Sequence, residues 1–417
     1  MVVNLSISEK TICLNMIVKN ESHIILNTLE NLCSYITFAY WVISDTGSTD
    51  ATKSIITDFF KQKNIPGELV EHEWKDFGYN RTKALECAYN KSDYIFIFDA
   101  DDKIFGEFKL PNIYEVDRYQ VKFGPHVVYT RPLLVTNRKK WCFTGVLHES
   151  LSNIDVMNGE KTLEGEYYIE SGRTGNRSKN PTKYLDDAIV LKNAFTSTLA
   201  TDYGLACRYA FYCGQSYKDA GPQYMDDAIE WYKKCLDLGN WAQEKYYACL
   251  MIGNLYKIKN DIPNTMKYWY KTVEYDIERM EGVVWAMKQL MAEGQNLVVN
   301  ALYHKFKDYN KTPQHKLFIF ENDYNDEIEY HNSVCAFYVN DKESGYECCK
   351  KIILNNVISY GYLKSTLSNT LFYKDLLEKD TATSEMFYSV DNALHQIASQ
   401  NNEQLDPKMV ELWTLLF

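Results

Sequence analysis

The sequence holds 11 cysteines in 417 residues but no Cys-x-x-Cys pair. Scattered thiols in odd number, without metal-ligand spacing, read as reduced cysteine in an intracellular compartment and argue against a disulfide framework or a zinc module. The adjacent Cys348 and Cys349 fit packing better than redox chemistry. No stretch approaches the roughly 18 apolar residues of a membrane span. Met1 to Lys10 lacks a cationic segment followed by an apolar run, so no secretory leader is expected and the protein is expected to be soluble and cytoplasmic. Long basic runs are missing too, and the net charge is −11. That argues against nucleic acid or an anionic membrane as the main partner, while leaving room for a small anionic ligand held by a few local cations.

What is present is ample core-forming material, with 46% hydrophobic and 14% aromatic residues, in a chain long enough for two or three domains. The first part alternates between strand and helix. Strand-like runs occupy Thr11 to Val18, Phe38 to Ile43, Glu68 to Glu73 and Tyr94 to Phe98. Helical spacing occupies Ser22 to Ser34, Asp50 to Lys63 and Gly78 to Asn90. Strands separated by helices imply βαβ units and a mostly parallel sheet. From about Tyr119 to Tyr168 the pattern is strand-rich and irregular.

After Pro181 the chain turns helical and aromatic. Gly214-Gln-Ser-Tyr217 is echoed by Gly253-Asn-Leu-Tyr256, and Trp231-Tyr-Lys233 by Trp269-Tyr-Lys271. Small residues at helix crossings with aromatic wedges fit a tetratricopeptide-like array. Further helices are expected over Tyr330 to Asn355 and Met386 to Ser399. Domains are expected at 1–178, 179–300 and 301–417.

The chemistry-bearing residues gather in five segments. Tyr94 to Phe98 stops at Asp99, Asp101 and Asp102, and carboxylates at the carboxyl end of a buried parallel strand sit where open α/β sheets bind ligands. Such a set suits a hard divalent cation shared with substrate phosphates, though a charged turn would look similar. Asn15 to Glu21 closes the first strand, and Asp45-Thr-Gly-Ser-Thr-Asp50 follows the second, where Gly47 permits a tight turn. Asn80-Arg-Thr-Lys83 offers cations at the start of the third helix, suited either to a diphosphate or to a solvated face. Trp141 to Glu149 carries His148 beside Glu149. A zincin helix is excluded there, because Ser152 stands where a second histidine is required.

Taken together, Ile17-Val-Lys-Asn-Glu21, Asp45 to Asp50, Asn80-Arg81, Phe98-Asp-Ala-Asp-Asp102 and Trp141 to Glu149 resemble a family-2 glycosyltransferase. That family has the GT-A nucleotide-diphospho-sugar fold, a mixed, mostly parallel α/β sheet. Gly172 to Tyr184, followed by the aromatic helices, resembles the subset with a C-terminal tetratricopeptide-like, all-α domain. The resemblance covers residues 11 to about 280.

It implies a metal-dependent inverting transfer from a nucleotide-diphosphate sugar, UDP-linked by family analogy, to a hydroxyl of a glycan or protein. By the same resemblance Asp45 meets the nucleotide base, with Asn15, Val18 and Glu21 lining that pocket. Arg81 lies near the diphosphate, Asp99 near the ribose or the metal's water shell, and Asp101 and His148 on Mn2+ or Mg2+. Glu149 becomes the base, with Asp102 sharing the catalytic division of labour. One departure stands out: no Glu-Asp pair opening a helix, the usual seat of that base, is evident. The helical aromatics are expected mainly to pack, with one face shaping acceptor access or forming a homodimer contact.

Two rivals remain. A nucleotidyltransferase would need a glycine-rich loop after the first strand, where Val18-Lys-Asn-Glu-Ser22 has none. A non-catalytic repeat scaffold with a decayed sugar-nucleotide domain fits poorly with the retained carboxylates.

Overall fold

The computed structural model describes residues 10–125, 128–239, 241–313, 316–324, 326–355, 360–401 and 407–417. Met1 to Glu9, most of the segment read for a leader, lie outside them. Among the described residues no helix is long and apolar enough to cross a membrane. The chain forms two compact units, residues 1–248 with 315–319, and residues 249–314 with 320–417.

The first unit opens with β1 (Ile12–Val18), α1 (Ile25–Tyr35), β2 (Tyr40–Asp45), α2 (Thr52–Gln62), β3 (Gly67–Glu71), α3 (Phe77–Ala88) and β4 (Tyr94–Ile97). It continues through β5 (Lys103–Gly106), β6 (Arg118–Phe123), β7 (Tyr129–Thr136), β8 (Trp141–Thr144), β9 (Ser150–Asn153), β10 (Glu160–Thr162) and β11 (Tyr167–Glu170). The main sheet runs β3-β2-β1-β4-β7-β6-β11-β5, with β10 beside β6, while β8 and β9 form a separate ribbon. Pairs β1/β2, β2/β3 and β1/β4 are parallel; β4/β7, β6/β7 and β11/β5 are antiparallel.

β1 explains the unbroken apolar runs. Ile12, Leu14, Met16 and Val18 enter one core with Leu29, Leu32 and Phe96, whereas Cys13 faces the opposite core with Val42, Leu85 and Ile95. A strand covered on both faces has no polar side to show. The parallel register sets Val18 beside Asp45 and Asn15 beside both Val42 and Ile97. The ends of β1, β2 and β4 therefore open at one sheet edge, where the acidic segments leave the sheet.

The helix expected from Ser22 begins at Ile25, because the Glu21 carbonyl accepts the Ile24 and Ile25 amides in a tight turn first. The strand expected to reach Glu73 ends at Glu71. Helices α4 (Lys183–Thr198), α5 (Tyr203–Ala220), α6 (Met225–Leu238) and the start of α7 (Ala242–Ile258) complete the unit. A Cβ on Gly214 would stand 2.8 Å from the Tyr232 ring, so α5 and α6 cross where the side chain is smallest.

The second unit is helical: the rest of α7, then α8 (Ile262–Tyr275), α9 (Glu281–Ala292), α10 (Asn296–Phe306), α11 (Glu327–Tyr338), α12 (Lys342–Leu354), α13 (Tyr360–Thr370), α14 (Lys374–Leu377), α15 (Thr383–Asn401) and α16 (Pro407–Leu416). Gly253 meets Trp269 as Gly214 meets Tyr232, with an added Cβ only 2.4 Å from the indole. The packing equivalence thus pairs Tyr232 with Trp269, one residue off the Trp231/Trp269 echo in the letters. The expected helix over Tyr330 to Asn355 is two helices. Asn340 takes a left-handed φ of +61° between α11 and α12, the conformation with which asparagine ends helices. Met386 to Ser399 falls inside α15 as expected.

Candidate active site

Beyond β4, Phe98 donates its amide to the Asn15 carbonyl at 3.0 Å, and the chain then turns, with the Asp102 amide reaching the Asp99 carbonyl at 3.3 Å. This turn brings the three carboxylates to the floor of a cleft of about 1500 Å³. Val18, Glu21, Arg81, Asp99, Asp101, Asp102, His148 and Glu149 all line it. Asn15 and Asp45, both buried, are not among its lining residues. The Asn15 amide donates to the Val42 and Ala84 carbonyls, tying β1 to β2 and α3.

Arg81 is the hub. Its Nη2 donates to Asp99 at 2.6 Å and its Nε to Glu149 Oε1 at 2.6 Å, with only 8% of the Arg81 side chain exposed. Arg131, on β7, donates to the other Asp99 oxygen at 3.2 Å. Burial opposes ionisation of Asp99, but the Arg81 and Arg131 guanidinium groups outweigh it and hold the carboxyl well below the usual range. Asp102 goes the other way: burial and then the Asp99 charge push it up to about 7, against a hydrogen bond from the Gly172 amide.

The loop before α4 closes over the acids. Asp101 Oδ2 accepts the Gly175 amide at 3.1 Å, and both Glu21 oxygens accept the Asn176 amide at 3.1 Å. A Cβ on Gly172 would lie 1.9 Å from the Asp101 carbonyl oxygen, so only glycine fits. At the end of β2, Asp45 Oδ1 accepts the Gly47 and Ser48 amides at 2.9 and 2.8 Å, with Gly47 at φ +102°. Asp45 Oδ2 is buried with no hydrogen-bond partner.

The Trp141–Glu149 segment reaches the cleft through a turn. Gly145 and His148 take positive φ, +119° and +53°. His148 is stacked on Tyr212 of α5, ring centroids 3.9 Å apart at 9°. His148 is exposed to the cleft rather than enclosed in the core; desolvation by the crowded cleft wall, then the neighbouring Arg208, Arg177, Arg131 and Lys183, lower its imidazole pKa. Among the described residues no group of three or more His, Cys, Asp or Glu side chains is arranged to hold a metal ion. A cation shared with substrate phosphates needs only one or two carboxylates, and Asp101 fits that requirement. His148 lines the same cleft with its ring stacked on Tyr212, and its lowered pKa keeps the imidazole neutral, the form in which histidine ligates metals.

Sequence reasoning passed over Arg131, Lys183, Arg208 and Tyr212, all of which line the cleft. Arg131 reaches Asp99 only through the antiparallel β4/β7 pairing, which leaves no local trace. Arg208 and Tyr212 carried a usable signal, since residues four apart share a helix face.

Residues 13–131 match the family model of glycosyl transferase family 2. No curated protein matches the sequence. Similar solved structures include S. aureus TarS 1-349 in complex with UDP-GlcNAc, 13% identical, covering 63% of this chain and 91% of that one at a TM-score of 0.34. Another is the mannosyltransferase PcManGT from Pyrobaculum calidifontis in complex with GDP-Man and Mn2+, 12% identical, covering 63% and 87% at 0.33. A third is MamA protein, 15% identical, covering 46% and 91% at 0.28.

Proposed function

We propose that the chain, whose residues 13–131 match the glycosyl transferase family 2 model, moves a sugar from a nucleoside-diphosphate donor, preferably UDP-linked, to a hydroxyl of a glycan or protein, with inversion. The observation that carries this reading is the composition of one cleft. It holds an open-sided carboxylate at Asp101, an ammonium with no carboxylate in ion-pair range among the described residues at Lys183, and Glu149 held by Arg81. Lys183 is depressed by burial and then by Arg177 beside it. Crowded cations of that kind gain from an arriving diphosphate.

A divalent cation, Mn2+ or Mg2+, would be held by Asp101 with donor phosphate oxygens, and when bound it supplies positive charge against the departing diphosphate. The residues of the chain do the rest. Thr46 lies on the cleft wall where the base would sit, and Asp45, buried directly behind it, shapes that turn through the Gly47 and Ser48 amides it accepts. Lys183 and Arg177 balance charge that grows on the diphosphate as its bond to the anomeric carbon breaks. Glu149 takes the proton of the acceptor hydroxyl as that oxygen bonds to the carbon, its Oε1 fixed by Arg81 and its Oε2 outside that pair. Attack opposite the leaving group inverts the centre.

In this reading residues 1–178 form the GT-A domain, 179–300 a tetratricopeptide-like array and 301–417 a further helical region, with one helical face serving acceptor access or a homodimer. Eleven free cysteines support a reducing, cytoplasmic setting. The test is a thermal-shift screen of nucleotide sugars with and without Mn2+, followed by turnover of the donor that stabilises. Asp101→Ala should abolish both the metal-dependent shift and transfer. A full shift in Asp101→Ala would remove the metal assignment, and a donor that binds without any turnover would favour the scaffold reading.

A further inference from the structure

We propose that Arg208, Tyr209 and Tyr212 of α5 are positioning residues for the loop that carries Glu149, so that the first helices after the sheet are part of the catalytic machinery. The inference rests on the reading that Glu149 acts as base.

The segment Gly145–Glu149 has little regular structure of its own, because it lies between β8 and β9 and its backbone leaves the ribbon there. On one side it is held by the start of α3. The Phe77 and Gly78 amides donate to the Val146 and Gly145 carbonyls at 3.2 Å each, and a Cβ on Gly78 would stand 2.3 Å from the Gly145 oxygen. These are the free amides of a helix N-terminus, satisfied by loop carbonyls.

On the other side all the anchors come from one face of α5. The Val146 amide donates to the Tyr209 hydroxyl at 3.0 Å. Arg208 Nε donates to the His148 carbonyl at 3.1 Å, and its guanidinium lies 4.9 Å over the Tyr212 ring. That ring in turn carries the His148 imidazole. Successive elements of the loop backbone and one side chain are thus each given a partner within a single helical turn.

The arrangement has a purpose in the conformation of His148. A φ of +53° is unfavourable for a residue with a Cβ, and such strain persists only where the surroundings over-determine it. The left-handed residue redirects the chain so that the next side chain, Glu149, turns to Arg81 and the cleft. Without the ring stack and the Arg208 bond, His148 has no reason to remain left-handed, and Glu149 loses its aim. Arg208 is itself steadied by Glu244 on α7 at 3.4 Å.

Two readouts test this in the full chain. Hydrogen exchange of the 145–149 amides should quicken in Tyr209→Phe and in Tyr212→Leu, while amides of β1 and β4 stay protected. With the donor selected by thermal shift, both variants should lose about 10- to 100-fold in kcat at little-changed donor KM, the scale on which misplacing a reacting group acts. Tyr212→Phe, which keeps the ring, should recover most of that loss. Unchanged exchange in Tyr209→Phe and Tyr212→Leu, or kcat unaltered with the loop loosened, overturns the inference. Normal turnover in Glu149→Gln, with loop exchange still governed by Tyr209, instead removes the base assignment and leaves the clamp in place.

Discussion

At the scale of single residues the site turns on one guanidinium between two acids. Arg81, expected beside a diphosphate, lines the cleft with its Nη2 on Asp99 and its Nε on Glu149. Removing one partner of a buried pair leaves uncompensated charge, typically costing about 3–5 kcal/mol. Arg81→Ala should therefore unfold at markedly lower urea than the parent and show no transfer. Arg81→Lys, which keeps charge but cannot fork, should recover stability more than turnover.

Asp102 supplies the second residue-level prediction. Its folded-state value is raised from 3.8 to about 7 by burial and by Asp99. Between those values the unfolded chain releases a proton that the folded chain keeps. Stability from this group is therefore full below about pH 4, falls as pH rises to about 7, and is flat above. Asp102→Asn cannot ionise, so its melting temperature should gain on the parent's across that window and stay level beyond it. A gap that does not change with pH would show that Asp102 ionises in the folded protein as it does in the unfolded chain.

At the scale of elements, the closing loop depends on a position with no room. The Gly172 Cβ site is occupied by the backbone of Asp101, which cannot swing aside as a flexible side chain would. Gly172→Ala should cost about 1–3 kcal/mol as overpacking does, and should weaken Mn2+-dependent donor binding by displacing Asp101; melting and binding isotherms on the same variant check both. The elements themselves were largely legible. β1, β2 and β4 announce themselves because both faces are buried, and the acids at the end of β4 follow from where that strand stops. The break at Asn340 was less legible, since helical spacing runs on through α11 and α12 and only the left-handed asparagine marks the turn. What sequence could not show was the meeting of distant segments. Arg131 finds Asp99 across an antiparallel pair, and Tyr212 finds His148 from a helix whose aromatics read as packing.

At the scale of the whole molecule, charge is distributed against its total. The chain carries −11, yet Arg177, Lys183 and Arg208 crowd one wall of the cleft closely enough to add to the desolvation that lowers the pKa of His148. Arg177 is paired with Asp187 and Arg208 with Glu244, but burial raises Glu244 to about 7, so near neutrality it offsets only part of the Arg208 charge. A local positive field in an acidic protein draws a small polyanion inward while the surrounding surface repels larger ones. Donor affinity should accordingly fall as salt rises from low ionic strength to about 0.15 M, where the screening length is about 8 Å. Lys183→Met, similar in length and without charge, should bind the nucleotide about tenfold more weakly, the loss of about 1.4 kcal/mol expected for one charge-assisted hydrogen bond, and should show a shallower salt dependence. Calorimetric titration of UDP into both proteins at several salt concentrations measures the two slopes. Parallel slopes would mean that Lys183 does not meet the diphosphate and that the field at this wall serves another ligand.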